Sequence, residues 1–493
     1  MRKILLSILS LVALATLVGC GGGGSSNITP VPSGPTGGNN AGFSNSSLSG
    51  SYVFSVNGVN SSNSFAVIGS FVADGAGNIT SGTRDTVTDG GGQALSESIT
   101  GTYTVNQDGR GQATLNGTSG RVIYRFVMQS PSAAKLFQIS DSADATGRII
   151  AQPSFTSTAL TATSTYIVRL DGEDSGLNVY GAIGGLTFTG GSTITGTVDE
   201  NDNATFNAQF AGTGSFSAPA TSGRGTATLI TATGTHNFVY YLVSPARLEL
   251  ISTDRNFFLH GYADQQTAIA GTAVAFVGDQ VFNISGYDSS GQVLETGRLT
   301  LDGVGNLTNA IEDYNEAGSY YDSVPFTGTY SVAANGRWTA TLTYTSSTLS
   351  FVGWQVSPQQ SMVLVSGSNI ANFGVVETGT MRAQTIGLTT ASVTGNYADN
   401  LSGLYINSGN IESGGNFLAD GSGNLNGTID SQTPTSINTD IVQSGNYSVA
   451  ANGRSSGTIG AVPVHVYTVD ADTIYLISTD PNRLYQGMLV KQQ

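Results

Sequence analysis

An all-β chain of four tandem units is what this sequence predicts, and three observations carry the prediction. Short runs of alternating apolar and polar residues are cut by turn residues at intervals of about 8–12 positions, the spacing of sandwiches and barrels. A set of short motifs returns four times at a period of about 110 residues, a usual domain size. Beyond the first 25 residues, no stretch carries helix-period hydrophobicity with caps.

The elements follow in order. Arg2 and Lys3 precede an almost unbroken apolar run from Ile4 to Val18, and the run ends in Leu17-Val18-Gly19-Cys20. It is shorter than the roughly 20 residues of a spanning helix, and its basic flank is that of a secretory signal. An ordinary signal peptide with a chance cysteine is the alternative. Cys20 is the only cysteine in 493 residues. This segment resembles the signal and lipobox of bacterial lipoproteins. The resemblance implies that residues 1–19 are a signal peptide and that Cys20 carries the lipid. Gly21 rather than Asp follows it, which by the same resemblance directs the protein to the outer membrane of the cell envelope. Each buried CH₂ of an acyl chain is worth about 0.8 kcal/mol in a membrane, so several chains hold firmly.

Residues 20–47 are rich in Gly, Ser and Pro, without apolar periodicity. They read as a flexible tether.

The repeated units are expected at 48–153, 162–266, 268–384 and 392–493. Gly101–Gly111 reads GTYTVNQDGRG and returns as GTYSVAANGR at Gly328–Arg337 and GNYSVAANGR at Gly445–Arg454. The second copy is worn, keeping Gly214-Ser215-Phe216 and Gly223-Arg224-Gly225. Arg110, Arg224, Arg337 and Arg454 are spaced by 114, 113 and 117 positions. ADGAGNI at Ala73–Ile79 matches LDGVGNL at Leu301–Leu307 and ADGSGNL at Ala419–Leu425. An acid recurs after this position: Asp85, Asp199, Asp313 and Asp430. Each unit closes on a glutamine, at Gln152, Gln265, Gln384 and Gln492.

Each unit holds about eight strand-like runs, enough to close a small up-and-down barrel. A β-sandwich is the alternative. In size and strand number a unit resembles the lipocalin- and avidin-type calycins, and the whole chain resembles bacterial lipoproteins that repeat such a unit. The resemblance implies architecture and supplies no ligand-binding residue.

Composition excludes several functions. Without Arg2 and Lys3 the chain has 16 basic and 33 acidic residues. That balance repels phosphate backbones, so no nucleic-acid partner is expected. Cys20 aside, there is no cysteine for disulfides or thiolate metal sites. Charged residues are only 10 % of the chain, against about 25 % in ordinary domains.

Candidate chemistry is sparse. The DGAGN, DGVGN and DGSGN segments offer too few ligands for a calcium loop and read as hairpin turns. The recurrent Asp and Arg suit a latch between neighbouring strands better than a catalytic or sugar-binding pair. His236, His260 and His465 have no ligand-like spacing. Glu312-Asp313 and Asp470 with Asp472 are weak carboxylate pairs for glycoside hydrolysis. Trp338 and Trp354 offer a sugar-stacking platform, or core. No nucleophile elbow, HExxH or phosphate loop occurs. A membrane pore is disfavoured, because the runs are short and carry Ser, Thr and Gly on both faces.

The expectation is a non-enzymatic, lipid-anchored structural or interaction module of the cell envelope, with no cofactor and no metal. Its partners are the membrane, through Cys20, and a protein or glycan. A small-ligand or glycan binder and a hydrolase of unknown site are the alternatives. Barrel interiors are expected to be packed rather than hollow.

Overall fold

The computed structural model describes residues 41–60, 63–140, 143–155, 160, 163–255, 257–368, 374–406, 408–433 and 435–493. The signal segment, Cys20 and residues 21–40 lie outside the described residues.

The first barrel comprises β1 (Ser49–Val59), β2 (Ser64–Asp74), β3 (Asn78–Thr88), β4 (Gln93–Ser98), β5 (Thr100–Val105), β6 (Arg110–Gly117), β7 (Gly120–Ser130), β8 (Ala133–Gln138) and β9 (Asp144–Ala151). Pairing is antiparallel throughout, and β9 returns to β1 while β2 and β5 both pair with β3, so the ladder closes. β4 and β5 are two halves of one strand broken at Ile99, whose N–H donates to the Gly82 carbonyl at 3.0 Å. Three more closed barrels of eight strands follow, at Ser164–Gln265, Gly278–Ala383 and Thr394–Lys491. All four are up-and-down meanders, and the sandwich alternative is excluded.

Alternation along β1 explains the packing. Tyr52, Phe54 and Val56 point into the first barrel's core, whereas Val53 points outward into a cluster shared with the second barrel. Both faces of such strands are buried, one inside its barrel and one against a neighbour. A doubly buried strand has little room for charge, which accounts for the low charged fraction.

The motif letters have local causes. In the GTY and GNY segments a Cβ on Gly101, Gly328 or Gly445 would collide with a carbonyl of the following strand, at Thr114, Thr341 and Thr458. The tyrosine two residues on caps the barrel end. The hydroxyls of Tyr103, Tyr330 and Tyr447 donate to the carbonyls of Leu48, Phe276 and Val393 at 2.6, 2.9 and 2.6 Å. The first of these carbonyls belongs to a plug that precedes β1. Phe43 and Leu48 lie in the barrel core, and the Val105 N–H donates to Asn45 Oδ1 at 2.8 Å. The segment from Ala41 to Ser47, expected to belong to the tether, therefore packs on the first barrel. Compositional bias alone concealed the apolar anchor Phe43.

The interiors are filled. Cavities inside the second, third and fourth barrels measure about 40, 30 and 10 Å³, room for a few water molecules at most. Trp338 stands in the third barrel's core and Trp354 in its contact with the second, 5 % and 2 % exposed. Neither offers a stacking platform.

Candidate functional site

The recurrent residues converge where barrels meet. Each recurrent Asp sits on the outside of its barrel and receives the recurrent Arg of another barrel. Arg224 grips Asp85 with Nε–Oδ2 2.9 Å and Nη2–Oδ1 2.8 Å. Arg337 grips Asp199 at 2.9 and 2.7 Å. Arg454 grips Asp313 at 2.7 and 2.7 Å. Finally Arg110 of the first barrel donates to Asp430 of the fourth at 3.1 Å. The latches thus run first to second, second to third, third to fourth, and fourth back to first: the barrels form a closed ring. The latch joins barrels and not neighbouring strands.

Each carboxylate is built in from three sides. One oxygen accepts the N–H of a residue in the next strand of its own barrel: Ser96, Gln209, Ser323 and Asp440, at 2.9, 3.0, 2.8 and 2.8 Å. All four donors are non-glycine residues with φ between 51° and 57°. A side chain in that left-handed region is costly, and here it aims an N–H at the latch. An aromatic donor completes three of the four sites. Tyr241 donates to Asp85 at 2.7 Å, Trp354 to Asp199 at 2.9 Å and Tyr467 to Asp313 at 2.6 Å. The fourth site has Val127 at this register, and Arg125 stands 4.0 Å from Asp430.

These surroundings set the charges. Burial pushes Asp313 up, but His465, Arg454, the Ser323 N–H and Tyr467 outweigh it and hold the carboxyl well below its usual range. At Asp430 burial wins over Arg110 and Arg125, and the carboxyl titrates above its ordinary value.

A glutamine clamp accompanies every latch. Gln152 Nε2 donates to the carbonyls of Leu242 and Ser222 at 2.7 and 3.1 Å. Gln266 does so to Gln355 and Asn335, Gln384 to Thr468 and Asn452, and Gln492 to Met128 and Asp108. In the second unit the clamp is Gln266, one residue beyond the expected Gln265. Gln265 instead donates to Ser164 Oγ within its own barrel. The carbonyls of Ser222, Asn335, Asn452 and Asp108 precede the glycine of the tight turn, Gly223, Gly336, Gly453 and Gly109, whose φ lies between 81° and 88°.

The remaining candidates resolve individually. Asp74, Asp302 and Asp420 each accept two backbone N–H groups and a side-chain amide from their own DGxGN segment, which is an Asx-type turn. Asp470 and Asp472 lie in one turn, where the Asp472 N–H donates to Asp470 Oδ1. His236 is buried in the second barrel beside Thr231 and Thr233. Asp313, Asp322 and His465 come close enough together to suggest a cation site. Arg454 already occupies it, with Nη2 2.7 Å from Asp313 and 2.8 Å from His465. Glu312 parts from Asp313 and points into the third barrel, toward Glu295, Glu377 and Tyr344. Burial drives Glu295 up to about 7, and raises Glu312 and Glu377 well above their ordinary values.

No family model matches the chain, and no curated protein matches it. Among solved structures, transferrin binding protein B of serogroup B Neisseria meningitidis aligns over 75 % of this chain and 83 % of its own, at 10 % identity and TM-score 0.20. The Trp-176-Ala mutant of the same vaccine antigen from Haemophilus parasuis covers 76 % and 86 %, at 10 % identity and TM-score 0.18. CghA with Sch210972 covers 67 % and 86 %, at 8 % identity and TM-score 0.17. Likeness at this level establishes neither activity nor kinship.

Proposed function

We propose that the chain is a lipid-anchored protein of the cell envelope that works as a non-enzymatic structural or interaction module. One observation carries the reading: the four-fold recurrent Asp, Arg and Gln are spent on joining barrels into a ring, while the barrel interiors are packed. The residues that the repeats preserve build a stiff body and present no reactive group to a substrate. The lipobox-like segment ending at Cys20 supplies the membrane anchor, most suitably at the outer membrane.

The anchor is tested by metabolic labelling with an alkyne fatty acid. The native chain should take up label, and Cys20→Ser should abolish it and leave precursor. Label in the Ser variant would overturn the anchoring. The module is tested by cross-linking in intact cells, where a discrete adduct of higher mass is expected. Turnover of chromogenic glycoside, ester or peptide substrates by the purified chain would overturn the non-enzymatic reading.

A further inference from the structure

The largest open volume among the described cavities lies outside every barrel. A pocket of about 320 Å³ opens where the first three barrels meet. Small-molecule sites begin at about 300 Å³, and the spaces inside the barrels are an order of magnitude smaller. Its walls come from the ends of strands: Ser64 of the first barrel, Arg169, Asp171, Glu173 and His260 of the second, and Tyr287 of the third.

The polar wall is fixed by contacts that cross between barrels. Ser64 Oγ donates to Glu173 Oε1 at 3.2 Å, joining first to second. Thr378 Oγ1 donates to Asp171 Oδ1, joining third to second. Arg169 Nε stands 3.0 Å from Asp171 Oδ2. The groups are therefore held in place before any ligand arrives, the condition for cheap recognition.

The charges select the ligand class. Asp171 neutralises Arg169, which disfavours an anion. Burial lowers the His260 pKa and raises that of Glu173. The wall interleaves donors and acceptors: Asp171 is paired with Arg169, and the Glu173 carboxyl accepts from Ser64. An apolar ligand would desolvate these polar groups without adding a hydrogen bond, and an anion would meet the Glu173 carboxyl. Hydroxyl groups both donate and accept, so a neutral molecule bearing several of them matches the wall. Tyr287 is 42 % exposed and gives the wall an aromatic face, suited to the C–H face of a sugar ring.

We infer that the pocket between the first three barrels is a binding site for a neutral saccharide of one or two rings. The inference stands apart from the anchoring and concerns the assembled ring alone, since no single barrel contains the site.

The test uses the purified full chain in detergent and saturation-transfer NMR. The probes are galactose, maltose and N-acetylglucosamine, with citrate, choline and decanoate as charged and apolar controls. At least one saccharide should bind, with the controls silent. Glu173→Gln keeps the shape of the wall and Tyr287→Ala lies at the surface, so both variants should keep the native melting temperature. Each should weaken saccharide binding about tenfold or more, or about 1.4 kcal/mol. Absence of saccharide binding on the order of 10 mM, binding of a control in its place, or saccharide binding unchanged in both variants would overturn the inference.

Discussion

Arg110 and Asp430 are 320 positions apart in the chain and 3.1 Å apart in space. This contact closes the ring, and it is the one latch between barrels that no linker joins directly. It is also built differently. Arg110 reaches Asp430 with Nη1 alone, the same Nη1 also donates to Asp440 of the fourth barrel at 2.8 Å, and its Nε turns to Asp108 of its own barrel at 2.8 Å. Its Nη2 and the Nε of Arg125 are buried without a hydrogen-bond partner. Apolar contact is thinner as well. Val53 and Ile68 face the second barrel, and Ile167 and Ile183 face the third. At the same registers the fourth barrel presents Ala398 and Gly414, and Gly414 lies against Phe137. We therefore expect the ring to open first at this seam. In hydrogen exchange, the strands Gly120–Ser130 and Gly409–Asp420 should lose protection before their counterparts Gly234–Ser244 and Val179–Thr189. Equal protection at all four contacts would contradict a weak seam.

The forked latches should be costly to break. Removing one partner of a buried ion pair leaves the other charged and desolvated, a loss of about 3–5 kcal/mol. Arg337→Ala strips Asp199 of both Arg bonds while Trp354 and Gln209 still donate to it. Thermal unfolding should show a loss toward the lower end of that range. Asp199→Asn with Arg337→Met should recover part of it, because both charges then leave together. A single variant with native melting temperature would show that the pair contributes nothing net.

The barrel class and the period of the repeats were legible in the sequence because both are local. Turns such as Asp74–Asn78 and the glycine of each NGR-like segment are set by neighbours within five positions. The partners of the latches were not legible. Asp85 and Arg224 are 139 positions apart, so repetition reveals that each matters without saying to what it binds. The left-handed Ser96, Gln209, Ser323 and Asp440 carry no glycine to mark them. The pocket was equally hidden, since its wall is assembled from three units and no unit alone contains a recognisable motif. Trp338 and Trp354 misled in the same way: aromatic content is visible in sequence, but the face it occupies depends on register.

The clamps allow a graded comparison. Each glutamine amide donates to two carbonyls of the following barrel, and a neutral hydrogen bond contributes about 0.5–1.5 kcal/mol. Gln384→Ala and Gln492→Ala should each lower stability by about 1–3 kcal/mol in denaturant titrations. The Gln492 variant should in addition expose the seam in hydrogen exchange, whereas Gln384→Ala should leave it protected. Gln265→Ala should cost less than Gln266→Ala, because only Gln266 spans two barrels. The reverse order would show that the clamp adds nothing beyond ordinary packing.

The third barrel should respond to pH in a direction opposite to ordinary acid denaturation. Glu295, Glu312 and Glu377 are buried together, between 1 % and 6 % exposed, and Tyr344 donates to Glu312 at 3.1 Å. Among the described residues no Arg, Lys or His is ion-paired with any of them. Burial, reinforced by the neighbouring acids, raises all three, Glu295 to about 7. In the unfolded chain each titrates near 4.3. Between these values the folded protein holds more protons than the unfolded one, so stability falls as pH rises through the window from about 4.5 to 7. It does not recover above it, because the native state must then bury charge. The native chain should melt at a lower temperature at pH 8 than at pH 5.5. Glu295→Gln, which keeps the shape and removes the charge, should narrow this difference and raise stability at pH 8 by an amount on the order of 1–3 kcal/mol, with a smaller gain at pH 5.5, which lies inside the window. Glu249→Gln serves as the comparison. Its carboxylate is buried too, but Arg148 and Arg247 stand 3.2 and 2.9 Å away and outweigh burial, holding its pKa down. Removing that charge should destabilise the protein at pH 8. Equal pH profiles for the native chain and Glu295→Gln would show that the cluster is already ionised and solvated.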